Sequence, residues 1–462
     1  MSTPLIWIGI PLLAGVILGI LPKTWRFTSL VTSGLCLALV FLAWVFPTSL
    51  TFILLGRRFE FARQLVLLGR TIQITQAHLT MIGLLYLGCF LWNTLSSRFE
   101  ISSWFHPLSL IITALWVFAL SIEPFLYAAV LIEIILLLTI PLISPRGEAV
   151  QPGLLRYLTL QTIAMPLILL SGWMLTGISS APSANPYIIR AALLVFLGFF
   201  IWLAIFPFNS WATTLSEESH PWVFGFVMAI RQAALIFFLL FFMDRYAWLR
   251  ELPRLDQLFR WIGVISIAAG GISSAFQAKP RRQFAFLFLF EIGYAMLALS
   301  LRSQAGYEYL AMQLFIDLFL YWLAAFSLSQ ILKAGYKLGF DGLRGIFYQR
   351  PFLSLMYLAV LASFAGLPLF AHFPVRRMIW NTFPTDNISH LPLLMLGQLG
   401  LVIYFMRVLV AFVHNPDRES SGTTGFPWSE RVFFFLMSAL VVLIGTAPQW
   451  ILPFFTGILH PF

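Results

Sequence analysis

Apolar runs long enough to cross about 30 Å of hydrocarbon follow one another from Thr3 almost to the last residues of the chain. A chain built this way has little choice of fold. Runs of this length are read as membrane-spanning helices. Composition agrees: 60% of the residues are hydrophobic, 10% are charged and mean hydropathy is +0.90, too apolar for a water-soluble globule. The expected fold class is an all-α polytopic membrane protein in one integral domain, with the lipid bilayer as its first partner.

Counting the runs places about fourteen helices. They lie near residues 3 to 21, 26 to 46, 77 to 95, 104 to 121, 123 to 143, 154 to 175, 187 to 206, 222 to 244, 256 to 277, 281 to 301, 307 to 331, 351 to 381, 389 to 414 and 430 to 456. The first run has no basic segment before it and no small-residue cleavage site after it, so it reads as a retained helix rather than a signal peptide. Before the third helix, RQLVLLGRTIQITQ sets a Gly-Arg step between two alternating segments, which predicts a short β-hairpin outside the bilayer. Lys23, Lys279, Lys333 and Lys337 all fall in loops on one side, which the positive-inside rule makes cytoplasmic; Arg245, Arg250 and Arg254 gather on the other side and weaken that orientation. Two helices are predicted to break, the twelfth at Gly366, Pro368 and Pro374 and the seventh at FPFNSW with Pro207. Interrupted helices in corresponding halves point to an ion pathway in inverted-repeat transporters, and a proline kink is the structural alternative.

Charges at bilayer depth cost at least about 2.5 kcal/mol on the most lenient insertion scales, so each one raises a functional question. Glu133 lies near the middle of SIEPFLYAAVLIEIILLLTIP; Arg231, Glu291 and Asp317 lie inside later runs, and Arg376 with Arg377 follows the break in the twelfth helix. Such a set reads either as a polar axis that passes protons through titrating groups and water, or as paired charges that pin helices together. The formal charge of +10 comes from arginines scattered singly through loops with no basic tract, which fits solvated loops and not nucleic acid. Cys36 and Cys89 fall within apolar runs, as buried thiols do. The histidines, from His78 to His460, include no i, i+4 pair, so no metal site is expected. Without GxGxxG, P-loop or CxxC, the chain is expected to bind no redox cofactor or nucleotide itself.

Four segments, in order, resemble the antiporter-like membrane subunits of respiratory complex I and the Mrp-type cation/proton antiporters. AVLIEIILL resembles the fifth-helix segment carrying that family's glutamate, here Glu133. FPFNSW with Glu217, Glu218, His220 and Pro221 resembles PxHxWLPxAHxxAP, with Asn209 where histidine is usual. QAKPRRQFAFLFLFEIGYAML resembles DxKRLLAYSSIxHxGY, and SFAGLPLFAHFPVR resembles SLAGLPPxxGFxxK. Together they run from about Arg98 to Met378. The resemblance implies fourteen helices with two inverted five-helix repeats, each with one broken helix, here residues 98–244 and 256–414, between N-terminal helices at 1–95 and a C-terminal helix at 430–462. It implies a non-redox subunit of a complex-I-type NAD(P)H or ferredoxin:quinone oxidoreductase, helping to move protons, or sodium, across the bacterial inner membrane or a membrane derived from it. Its partners would be other membrane subunits that carry the electrons.

The departures fall on the residues that matter most. Trp202 stands where the family's seventh-helix lysine would pair with the glutamate, Arg231 replaces the eighth-helix lysine, Glu291 the tenth-helix histidine or lysine, and Arg376 the twelfth-helix lysine or glutamate; the eleventh-helix position maps beside Asp317. A desolvated lysine can release a proton, whereas a guanidinium holds its charge. Two readings remain. Protons are carried by Glu133, Glu291, Asp317 and water, with Arg231 and Arg376 as fixed charges; or translocation is lost and buried pairs such as Glu133 with Arg231 make a structural spacer. A stand-alone sodium/proton antiporter would be expected to keep the lysines. A membrane-embedded transferase would need a polar catalytic loop, for which only SEESHP is available.

Overall fold

The computed structural model describes residues 3–21, 25–45, 51–54, 57–60, 63–67, 69–144, 151–175, 186–250, 252, 254–382, 389–414, 427–450 and 453. His460 and nearly all of the last expected helix beyond residue 450 lie outside the described residues. A π-helical turn at Leu5–Gly9 leads into α1 (Ile10–Ile20), followed by α2 (Trp25–Val45), strands β1 (Thr51–Leu54), β2 (Arg57–Glu60), β3 (Gln64–Leu67) and β4 (Arg70–Gln73), then α3 (Gln76–Ser96) and α4 (Phe105–Ser121). After β5 (Ile122–Glu123) come α5 (Leu126–Ile143), α6 (Pro152–Leu175), α7 (Pro186–Trp202), α8 (Ser210–Glu218), α9 (Pro221–Arg245) and α10 (Ala247–Arg250). The chain continues through α11 (Leu255–Phe276), α12 (Pro280–Ser300), α13 (Gln304–Lys333), α14 (Ile346–Gln349), α15 (Pro351–Phe364), α16 (Phe373–Thr382), α17 (Leu391–Val413) and α18 (Trp428–Thr446).

Every stretch read as a span holds a helix, but not every helix has spanning length. Ten helices among the described residues are long and apolar enough to cross a membrane, or eleven if the bent pair Asp341–Gln349 and Pro351–Phe364 forms one span; Leu5–Ile20, Phe105–Ser121 and Ile188–Trp202 are shorter. Local causes are visible for two of these. α4 stops where Ile122 and Glu123 peel off to pair with Ile72 and Thr71 of β4, and α7 stops at its break. The hairpin expected around Gly69 is formed by β3 and β4, with Leu67 opposite Arg70 and Gln64 opposite Gln73.

The chain divides into two units, residues 1–204 with 218–253 and 461–462, and residues 205–217 with 254–460. In the first, α3, α4, α5 and α7 pack on α9, which is buried at every residue from Pro221 to Met243, Arg231 and Gln232 included. A helix apolar on every side over the rest of its length belongs in the interior. In the second, α11 and α13 pack on α12, which is buried at every residue from Gln283 to Ser300. Outer helices such as α6 and α17 turn Leu155, Trp173, Leu399 and Val410 outward, where lipid replaces water as solvent.

Backbones approach closely where glycines allow it. A Cβ placed on Gly271 of α11 would collide with the backbone of Gly397 in α17, and one on Gly400 would collide with Gly271. Small residues at such crossings are how membrane helices gain contact, since lipid gives no hydrophobic drive for their association. Gly271→Val is therefore expected to force α11 and α17 apart at a cost of about 1–3 kcal/mol, the usual range for overpacking. The check is the melting temperature of the purified assembly against Gly34→Ala, where an added Cβ meets nothing within 4 Å.

Both expected breaks are present. The first runs from Leu203 to Asn209 between α7 and α8, with Ala204 at φ 55°; the second separates α15 from α16, with Gly366 at φ 62° and Leu369 at φ 75°. Irregular backbone at membrane depth needs partners from within the protein. At the first break the Trp202 carbonyl accepts a hydrogen bond from Arg231, and at the second the Ala365 carbonyl accepts one from the Gln398 amide.

Candidate functional site

In the second unit, Glu291 on α12, Asp317 on α13, His372 in the break and Arg376 on α16 meet in one buried cluster. Arg376 Nη2 donates to Glu291 Oε1 at 2.5 Å. His372 Nε2 lies 2.8 Å from Asp317 Oδ1 and 3.7 Å from Glu291 Oε2, so the imidazole stands between the two carboxylates. Gln313, one turn before Asp317, donates to the Glu291 carbonyl at 2.8 Å and reaches both carboxylates at 3.4 Å. The break makes this arrangement possible. Gly366 has no side chain because Arg376 Nη1 and Gln398 Nε2 occupy the space where its Cβ would lie, at 2.5 and 2.8 Å. His372 is fixed by its own N–H, which donates to Ser363 Oγ at 3.1 Å. The Arg376 guanidinium lies 5.1 Å over the Phe290 ring and 4.9 Å over that of Tyr294, and its Nη1 reaches Gln398 Oε1 at 3.4 Å.

One ligand atom from each of Glu291, Asp317 and His372 lies within 4.8 Å of the others, a donor set that by type suits a small metal ion. Two features disfavour that use. Metal-bound histidine normally donates its second ring N–H to an acceptor, and His372 Nδ1 is buried with no partner among the described residues. Arg376 also already places a positive charge on Glu291.

In the first unit, Glu133 of α5 and Arg231 of α9 line one cavity of about 20 Å³, with Tyr157, Gln161 and Trp202. That is room for one water. No ion pair joins the two charges among the described residues. Glu133 accepts a hydrogen bond from Thr162 Oγ1 at 2.7 Å, whereas Arg231 Nη2 donates to Gln161 Oε1 at 2.5 Å and to the Trp202 carbonyl. Arg231 thus sits at the C-terminal end of α7, where orphan carbonyls and the helix dipole both favour a cation. The Trp202 indole N–H is committed to the Gln161 carbonyl at 3.2 Å.

Of the six charges singled out in the sequence, Glu291, Asp317 and Arg376 come together, Glu133 and Arg231 share a cavity without pairing, and Arg377 is exposed on α16. His372 was missed. A search for metal-like i, i+4 histidine pairs could not find it. The usable signal was its place one helical turn before Arg376, which puts both side chains on one face of the re-entering segment.

The geometry can be set beside known proteins. A family described as "NADH:quinone oxidoreductase/Mrp antiporter, TM" matches residues 131–384. NADH-quinone oxidoreductase subunit N 2 of Acidobacterium capsulatum is 25% identical over 283 residues, which is 58% of this chain and 57% of the relative. The chain thus spans under two thirds of the length of that relative. Among solved structures, a chain of respiratory complex I from Thermus thermophilus with bound aureothin superposes with a TM-score of 0.75 at 21% identity, covering 98% of this chain and 99% of that one. A chain of the membrane-bound sulfane sulfur reductase, an archaeal respiratory membrane complex, gives 0.82 at 15% identity, covering 99% and 96%. At these identities the superpositions establish the fold, and the family match over more than half of the sequence establishes the kinship: the chain belongs to the NADH:quinone oxidoreductase/Mrp antiporter transmembrane family.

Proposed function

We propose that this chain is the antiporter-like membrane subunit of a complex-I-type oxidoreductase, moving protons across an energy-coupling membrane while partner chains carry the electrons. The observation behind this reading is the cluster in the second unit. With Glu291 and Asp317 ionised, Arg376 charged and His372 neutral, four buried side chains carry one uncompensated negative charge. Burying a charge without a partner is costly, and one bound proton removes the imbalance. The hydrogen bond between His372 and Asp317 is where that proton rests, because Glu291 is already committed to Arg376. Arg376, which does not deprotonate, acts as the fixed charge.

The two repeats expected at 98–244 and 256–414 are supported by parallel construction. In each, the last carbonyl before the break is capped by a side chain from a later helix, Arg231 at 29 residues from Trp202 and Gln398 at 33 from Ala365. The name carried by the Acidobacterium relative favours the oxidoreductase over a cation/proton antiporter. The test is proton uptake into liposomes holding the parent complex, wild type against Asp317→Asn at matched electron-transfer rates. A lower proton-per-electron ratio in the variant is expected, and an unchanged ratio overturns the reading.

A further inference from the structure

The first unit contains two separate polar spaces. The small cavity around Glu133 and Arg231 is one. The other is a cavity of about 600 Å³ near the three-stranded sheet, lined by Arg63, Gln73, His78, Glu123, Asp244 and Arg245 among others. Helix α9 contributes to both, with Arg231 on the first and Phe241, Asp244 and Arg245 on the second. Arg231 and Phe241 are ten residues apart on one continuous helix, a rise of roughly 15 Å. After Gln232, next to Arg231, α9 offers only apolar side chains from Ala233 to Leu240.

That interval is filled by aromatic rings. Phe238 lies with its ring centre 6.0 Å from Phe125, 5.5 Å from Phe199 and 6.3 Å from Trp202. Phe242 packs at 6.0 Å on Phe199 and 6.5 Å on Phe125. Phe125 faces the larger cavity and Trp202 the smaller, so one contiguous layer of rings separates them. Proton transfer requires donors and acceptors about 3 Å apart, and the apolar side chains from Ala233 to Leu240 supply none.

We infer that this layer is a dry septum that closes the route between the two cavities of the first unit to water and protons. Trp202 is its inner face, and Arg231 is held as a structural cap behind it. The cavity at Glu133, a half-buried residue of α5, then has no route to the larger cavity. The septum does not depend on the proposed function.

The test reads water access and not turnover. In membranes carrying the assembled complex, Cys36 and Cys89 are replaced by alanine and a cysteine is placed on either side of the septum, Gln73→Cys or Thr139→Cys. Sealed vesicles, in the orientation that exposes Gln73→Cys, are treated with Ag+, a thiol-binding ion small enough to travel with water. Thiols left free are then alkylated in denaturant. Protection of Gln73→Cys and no protection of Thr139→Cys is expected, with Phe238→Ala or Trp202→Leu converting Thr139→Cys to the protected state and raising the passive proton leak. Native electrophoresis scores assembly, and whichever of the two openings assembles is used. Protection of Thr139→Cys behind an intact septum overturns the inference, as does its continued silence in an assembled opened variant. A failed proton-pumping reading with the expected Ag+ pattern leaves the septum standing, so the two ideas fail separately.

Discussion

Alanine in place of Arg376 is expected to lower the stability of the assembled subunit by about 3–5 kcal/mol, the cost typical of removing one partner of a buried ion pair. The reason is local charge. Arg376 Nη2 lies 2.5 Å from Glu291 Oε1, and Asp317 stands on the other side of the shared His372. Without the guanidinium, two carboxylates would face each other across one imidazole with no fixed cation. Lysine is expected to recover only part of the loss. It restores a charge, but it neither stacks on Phe290 and Tyr294 as a planar group nor reaches Glu291 and Gln398 together. The informative variant is the double one. Arg376→Ala with Glu291→Gln removes both members of the pair, and its stability should rise back toward wild type, because an orphaned charge costs more than an absent pair. The check is subunit abundance in membranes together with melting of the purified complex. Equal melting of Arg376→Ala and wild type would sink the account of the cluster as a charge-compensated site.

Much of this arrangement was legible in the sequence. Run lengths gave the class of fold, Gly366 and Pro207 marked both breaks, and the rarity of charge at bilayer depth singled out Glu291, Asp317 and Arg376 before any geometry was known. What could not be read was pairing. One of the two readings of the charges pairs Glu133 with Arg231, yet Arg231 turns to the end of α7 and Glu133 to Thr162. A hydropathy profile records that a charge is present, not which backbone carbonyl lies open beside it. The short helices escaped for a similar reason. Apolar residues continue past Trp202, but the helical backbone does not. Trp202 itself was visible as a replacement for a lysine; the aromatic layer it belongs to is assembled from α5, α7 and α9 and has no local signature.

The contrast between the units follows from side-chain chemistry. Each has a broken helix whose open carbonyl is capped by a polar group. In the first unit the cap is Arg231, the only cation lining the cavity among the described residues, so it is consumed by structure. In the second the cap is Gln398, a neutral amide, which leaves Arg376 free to compensate Glu291. An arginine that need not cap a helix can serve as a fixed charge beside a titrating pair. The same residue type therefore caps a helix in one unit and compensates a carboxylate in the other.

If Asp317 and His372 share one proton, Asp317→Asn and His372→Gln are expected to act as one lesion. Each alone should slow the proton-transfer step by about a hundredfold, the lower end of what a positioned proton-transfer group supplies. The variant carrying both should be no slower than either one. Groups acting as a unit are strongly non-additive, whereas independent groups would multiply to roughly ten-thousandfold. The 2.8 Å separation of Nε2 and Oδ1 is the geometric basis, since neither atom can hold the proton at that site without the other as its partner. Glu291→Gln serves as the contrast. Its carboxylate is bound to Arg376, so its loss leaves an unpaired cation in the cluster and should show in stability as well as in rate. Proton-uptake kinetics of the reconstituted complex, measured for both singles and the double, decide between the two outcomes. A double variant far slower than its parents would mean that the imidazole and the carboxylate carry separate protons.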